Sequence, residues 1–217
     1  MSGFEYYNSH GVLTIDSNNK SIGISQYMGN PGLIDIGSVR FVSGTAFGDG
    51  SNLGWLPDNF FPSSGMRWWR PLANGGWGMP GGGLYTPGSG DFMVTSPYTA
   101  LQSGFLDVFD GGGNLVWSAA SAGSMPRIIE FFSVGAGYDL TNGATFQTSF
   151  ANPWICISQC PGESSDAGDS GGYSGIIIRR NNAQNFTLYY INRNQNNYLT
   201  AMGNYGINIA LAYFTGY

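Results

Sequence analysis

Charge is scarce in this chain. Only 10 % of its 217 residues are Asp, Glu, Lys or Arg, where an ordinary domain carries about 25 %. Lysine occurs once, at Lys20, and the basic total is 8 against 13 acids. Binding to nucleic acid by counter-ion release needs clustered basic residues. Here only Arg67/Arg70 and Arg179/Arg180 cluster, which speaks against nucleic acid and, for the same reason, against anionic membrane. Histidine also occurs once, at His10, so no zinc ligand set and no other metal site is evident. The two cysteines, Cys156 and Cys160, are four residues apart. Extended, they share a face but cannot bridge; a turn could bring them together. They read as two free, mostly buried thiols, with a late-forming disulfide as the alternative. No Gly-Lys-Ser/Thr phosphate loop is present, so nucleotide cofactors have no support. No apolar run is long enough to span a bilayer, and no basic segment leads into one. The expectation is a product made in the cytosol that stays there or leaves by a route needing no leader. No long stretch carries a 3.6-residue period, so no helix is expected.

What is abundant points to strands. Glycine (35 residues) and aromatics (15 %) dominate, and β-branched residues are too plentiful for a disordered chain. The predicted fold is an all-β, antiparallel sandwich, with surface polarity supplied by Asn, Ser, Thr, Gln and Tyr. Two segments read as β-hairpins opening on Ser-Gly-Phe. The first runs Ser2-Gly3-Phe4-Glu5-Tyr6-Tyr7-Asn8, turns through Ser9-His10-Gly11 and returns as Val12 to Asp16. The second runs Ser103-Gly104-Phe105-Leu106-Asp107-Val108-Phe109-Asp110, turns through Gly111 to Asn114 and returns as Leu115 to Ser118. Alternation places one face of each strand on a core, and glycine serves the reversal. Their recurrence predicts two related halves: an N-terminal β domain over 1–97 and a C-terminal β-sandwich domain over 98–217. Further strands are expected at Ser21 to Met28, Leu33 to Ile36, Val39 to Val42 and Asp91 to Thr95. Arg127 to Val134 reads as a central strand. Ala144 to Phe150, Trp154 to Ile157, Tyr173 to Arg179, Phe186 to Asn192, Tyr198 to Met202 and Ile207 to Phe214 complete the set, with the spacing of a sandwich or jelly-roll.

Between Gly44 and Gly90 the chain holds thirteen glycines, five prolines and four of the six tryptophans. Long irregular segments tend to be functional loops or linkers. Trp55, Trp68, Trp69 and Trp77 in this excursion are therefore the candidate receptor-binding or subunit-binding residues; the alternative is that they cap the core.

Chemistry has few candidates. Gly168-Asp169-Ser170-Gly171-Gly172 resembles the nucleophile loop of chymotrypsin-like serine proteases, and His10, Asp58 and Ser170 follow that family's triad order. Against it, only nine residues precede His10, which lies in a hairpin turn without the Ala-Ala-His-Cys context, and Tyr173 replaces the proline that follows the glycine pair. Glu130 lies within an apolar strand, where burial would suit a general acid, though pairing with an arginine is the favoured reading. Asp166 and Asp169 lack EF-hand spacing. No catalytic residue is assigned.

The stretches Gly3 to Asn8 with Gly11 to Asp16, and Leu106 to Asp110 with Gly113 to Ser118, resemble the opening hairpins of small tail proteins of siphophages. The resemblance implies a virion component at the tail tip or on a tail fibre, made in the host cytoplasm and acting in tail assembly or host-surface attachment. It implies other tail proteins, further copies of the chain and surface polysaccharide as partners. A lectin-like module, with Trp or Tyr stacking on sugar faces, is the alternative; an enzyme ranks last.

Overall fold

The computed structural model describes residues 3–7, 11, 13–29, 34–40, 49–55, 64–165, 172–193, 195–203 and 205–217, with backbone alone for 13–14, 34–40, 49–55 and 164–165. The chain opens with β1 (Glu5–Tyr7), β2 (Leu13–Asp16), β3 (Gly23–Met28), β4 (Ile34–Arg40) and β5 (Asp49–Trp55). It continues through β6 (Met66–Pro71), β7 (Trp77–Met79), β8 (Leu84–Tyr85) and β9 (Gly90–Ser96). Next come β10 (Asp107–Phe109), β11 (Leu115–Ser118), β12 (Arg127–Val134), β13 (Ala144–Gln147) and β14 (Trp154–Cys156). The last elements are β15 (Gly162–Ser165), β16 (Gly172–Arg180), β17 (Asn185–Arg193), the short helix α1 (Tyr198–Met202) and β18 (Ile207–Tyr213).

Among the described residues these strands form a front sheet of six, ordered β12-β18-β14-β6-β9-β3, and a back sheet of eight. The back sheet is ordered β13-β17-β16-β7-β8-β5-β4, with β15 added beside β16. Two further two-stranded hairpins, β1-β2 and β10-β11, belong to neither sheet. All neighbours run antiparallel, as the expected sandwich requires.

The halves are related by strand order. Read inward from its two edges, the front sheet runs β3-β9-β6 on one side and β12-β18-β14 on the other. The back sheet runs β5-β8-β7 and β13-β17-β16, with β4 and β15 as additions. Each series takes the same steps along its own half of the chain. Even the irregularities match: β3 slips register after its second residue, between Ile24 and Gln26, and β12 does so between Ile128 and Glu130. The halves meet at two central pairs, β6 against β14 and β7 against β16.

This join corrects the division into separate domains at residue 97. The repeat boundary does fall between β9 and β10, but both sheets cross it, and one core contains Trp69, Tyr85 and Phe92 together with Phe132, Ile155 and Leu211. Neither half closes a sheet or a core alone. The buried Arg180 side chain adds a polar tie between the halves, donating to Asn74 Oδ1 and, at 2.9 Å, to Asn152 Oδ1.

The tryptophan-rich excursion is likewise ordered where it is described, carrying β5 to β8. Successive strand residues point to opposite faces, so Trp69 enters the core between the sheets while Trp68 faces away from it. Trp69 packs edge-on to Tyr85 at 5.2 Å, and Tyr85 edge-on to Phe92 at 4.8 Å, stitching back sheet to front. A Cβ at residue 78 would lie 2.5 Å from the Tyr85 ring, and one at residue 81 would lie 2.3 Å from the backbone nitrogen of Gly162. Those glycines permit close packing; they do not mark a loose loop. Trp68 donates its indole N–H to Thr95 Oγ1 at 2.9 Å and, with Trp154, grips the Phe214 ring at 5.6 and 5.8 Å. The C-terminal residues thereby cover this side of the front sheet.

Three smaller expectations change. Arg127–Val134 is an edge strand, not a central one. The two short segments around Leu33 to Val42 give one bulged strand over Ile34–Arg40. Tyr198–Met202 is a helix, because the Asn197 side chain caps it by accepting the Thr200 N–H at 2.8 Å and Gly203 ends it.

The Phe214 ring is fully buried between two indoles. Phe214→Ala is expected to lower unfolding stability by about 3–5 kcal/mol, measured by denaturant unfolding monitored through tryptophan fluorescence.

Candidate functional site

Trp68 and Trp69 have no exposed surface and Trp77 retains 3 %. As a receptor platform these three rings are therefore a correction: alternation along β6 and β7 spends them on the sandwich and on the outer cluster formed by Trp77, Met79 and Ile177. Trp55 lies in β5, where only the backbone is described.

Several exposed aromatics sit on the hairpins, while Tyr98, Phe131 and Tyr205 are exposed elsewhere. Phe4, Tyr6, Tyr7 and Phe109 are each about half exposed, and Phe105 is fully so. The two hairpins share one design. Glu5 pairs with Asp16, Tyr6 with Ile15, and Tyr7 slips to Leu13; Asp107 pairs with Ser118, Val108 with Trp117, and Phe109 slips to Leu115. The Phe4 carbonyl accepts the Ser17 N–H at 2.9 Å, and the Leu106 carbonyl accepts the Ala119 N–H at 2.8 Å. Phe4 thus corresponds to Leu106 and Glu5 to Asp107. This is one residue out of step with the Ser-Gly-Phe alignment, because the second copy holds an extra residue, Phe105.

That residue is held at φ 64°, in the left-handed region, at the centre of a three-residue turn closed by the Leu106 N–H donating to Gly104 O at 2.9 Å. Such turns are rare and strained outside glycine. Asp107 buttresses it: one oxygen accepts the Gly104 N–H at 3.0 Å and the other accepts from Ser103 Oγ. The strain ends with a phenyl ring wholly in solvent.

The hairpins face each other across a groove of about 490 Å³, lined from one side by Phe4, Glu5 and Ser17 and from the other by Leu106, Asp107 and Phe109. The Ser21 N–H donates to the Val116 carbonyl at 2.8 Å, tying the first hairpin's exit to the second. Acid dominates the groove. Glu5, Asp107 and Asp110 line it, and no lining residue is basic. Asp16 stands directly opposite Glu5 in the ladder, a like-charge placement that destabilises a hairpin.

Local donors hold several of these carboxyls ionised. Asp107 is lowered from its ordinary value by the Ser103 hydroxyl, then by the Gly104 N–H. Asp110 is lowered by the Asn114 side chain and backbone, and Asp16 by the Asn18 backbone N–H and the Asn19 side chain. The Tyr7 hydroxyl donates to Glu5 Oε2 at 2.6 Å and is raised in consequence. The site can therefore present negative charge beside aromatic and aliphatic surface.

His10, Asp58, Asp166, Asp169 and Ser170 are outside the described residues. Glu130 is half-buried and accepts the Ser149 N–H at 2.8 Å, a backbone partner in place of the expected arginine. Arg70 forms an ion pair with Asp91 at 2.5 Å, with the guanidinium 4.7 Å above the Trp154 ring. Cys156 and Cys160 are free and buried; burial pushes Cys156 up to about 11 and Cys160 higher still, so both stay protonated thiols. One signal for the hairpin site was present in the sequence. Phe4, Tyr6 and Tyr7 put aromatics on both faces of one short strand, and a hairpin has a core for one face at most.

Because the folded Asp107 and Asp110 lie below their ordinary value of 3.8, their stabilisation of the second hairpin is complete above that value. It is lost as pH falls through the lower folded values. In an NMR titration the amide signals of Gly104, Gly112 and Asn114 are expected to shift together below about pH 4, while those of β16 stay fixed. Titration of these amides above that pH would contradict the assignment.

No curated protein and no solved structure matches the chain. A family model described as Domain of unknown function (DUF8377) matches residues 1–216, essentially its whole length. The chain belongs to that DUF8377 family.

Proposed function

We propose that this protein is a structural component of a bacteriophage tail, at the tip or on a fibre, which works in assembly and host-surface attachment by binding and without catalysis. The hairpins whose sequences resemble siphophage tail proteins stand outside both sheets and carry five of the exposed aromatics, Phe4, Tyr6, Tyr7, Phe105 and Phe109. Phe105 carries this reading furthest. A fully exposed ring on a strained backbone costs the free protein stability and gives it nothing in return. Aromatic anchors of this kind concentrate binding energy at interfaces, and the interwoven sandwich supplies a rigid mount for them. Its partners on this reading are other tail proteins, further copies of itself and the host surface.

Immunoblotting of purified virions tests the reading directly: the protein is expected in particles, and its absence from them would end the idea. Phe105→Gly separates contact from folding. Glycine accepts the positive φ, so the melting temperature is expected to hold or rise. Incorporation into particles or adsorption to host cells is expected to fall about tenfold. Unchanged incorporation and adsorption would remove Phe105 from the contact surface.

A further inference from the structure

The groove between the hairpins has the chemistry of a receptor for cationic side chains. Each hairpin contributes one carboxylate and one apolar residue at corresponding positions, Glu5 with Phe4 and Asp107 with Leu106. Phe109 and Asp110 extend the same pattern along the second hairpin. A long basic side chain needs both kinds of surface, apolar for its methylene stem and anionic for its head. Aromatic faces add cation–π attraction. No basic residue lines the groove to neutralise these charges. Glu5, Asp107 and Asp110 thus face the groove without a basic residue among its lining to pair with. A neutral glycan would leave these carboxylates without a counter-charge, and an anionic one would be repelled by them.

We infer that this groove docks a basic segment of a partner protein, with Glu5 and Asp107 each receiving a Lys or Arg side chain and Phe4, Leu106 and Phe109 flanking the stems. The inference rests on the reading of the protein as a binding component of a larger assembly, and it names the chemistry of one partner. Electrostatic complementarity of this kind speeds encounter and sets specificity.

The test uses the full chain and two labelled peptides, one alternating arginine with leucine and one alternating glutamate with leucine, in fluorescence anisotropy. The arginine peptide is expected to bind and the glutamate peptide not to. Affinity is expected to fall steeply as salt rises from about 50 mM to about 500 mM. Glu5→Gln with Asp107→Asn is expected to weaken binding about tenfold, with melting temperature followed in parallel because Asp107 also buttresses its hairpin. NMR mapping on the unaltered protein guards against a folding defect: the amides of Phe4, Glu5, Leu106 and Asp107 are expected to shift with the arginine peptide. Equal binding of both peptides, no binding of the arginine peptide, or shifts confined to other residues would overturn the proposal. So would shifts of these amides with soluble dextran alone, which would make the groove a glycan site. The outcome is independent of virion immunoblotting: a chain found in particles that ignores the arginine peptide fails here alone, and a chain that binds the peptide but is missing from particles fails there alone.

Discussion

The fold depends on the antiparallel pairing of β6 with β14, where Trp68 stands opposite Cys156 and Trp69 opposite Ile155. At this seam the front sheet passes from one half of the chain to the other. Backbone hydrogen bonding alone would not hold such a seam, because each bond made exchanges for one with water. Side chains on both faces add what is missing. Trp69 joins the core between the sheets, and Trp68 joins Trp154, Phe214 and Met93 on the opposite side. Trp68 and Trp69 are buried on opposite faces of β6, which lies in the middle of its sheet.

Once the halves share sheets, the distribution of exposed groups follows. The strands that meet at the centre bury most of their apolar side chains, Trp68, Trp69, Trp77 and Trp154 included. Among the described residues the hairpins pair with no third strand and join neither sheet, so they bury one face at most. Their remaining aromatics stay in water beside carboxylates that local amide and hydroxyl donors keep ionised. Scarcity of charge elsewhere sharpens this contrast. In a chain with few ionisable residues, acids gathered in one groove with no lining base give it a field of one sign, little cancelled by neighbours.

The glycines act in two ways that composition cannot separate. Around β7 they allow rings and backbones to approach closer than any Cβ would permit. In the second hairpin they serve the turn: Gly113 adopts φ 81°, and Asp110 gathers the backbone N–H groups of Gly112 and Asn114. Abundant glycine beside abundant tryptophan therefore resembles a functional loop in sequence and is, over β6 to β8, tightly packed sheet.

The amino-acid sequence by itself determined the all-β class, the paired strands of the two hairpins, the turn of the second, and strands such as Arg127–Val134, since two-residue alternation and turn residues are local properties. It also showed that something recurred, through Ser-Gly-Phe, though not the true register, which the extra Phe105 displaces by one. Tertiary structure alone decided which strands became neighbours. That choice made Arg127–Val134 an edge strand, merged two expected domains into one interleaved sandwich, and turned Asn197 into a helix cap. It also reversed the roles of the aromatics. Alternation assigns a side chain to a face but cannot say whether that face meets another sheet or water, so Trp68, Trp69 and Trp77 became interior while Phe4, Phe105 and Phe109 became surface. The groove belongs to the same class of fact: Glu5 and Asp107 are about a hundred residues apart, and only the packing of one hairpin beside the other brings them to the same groove.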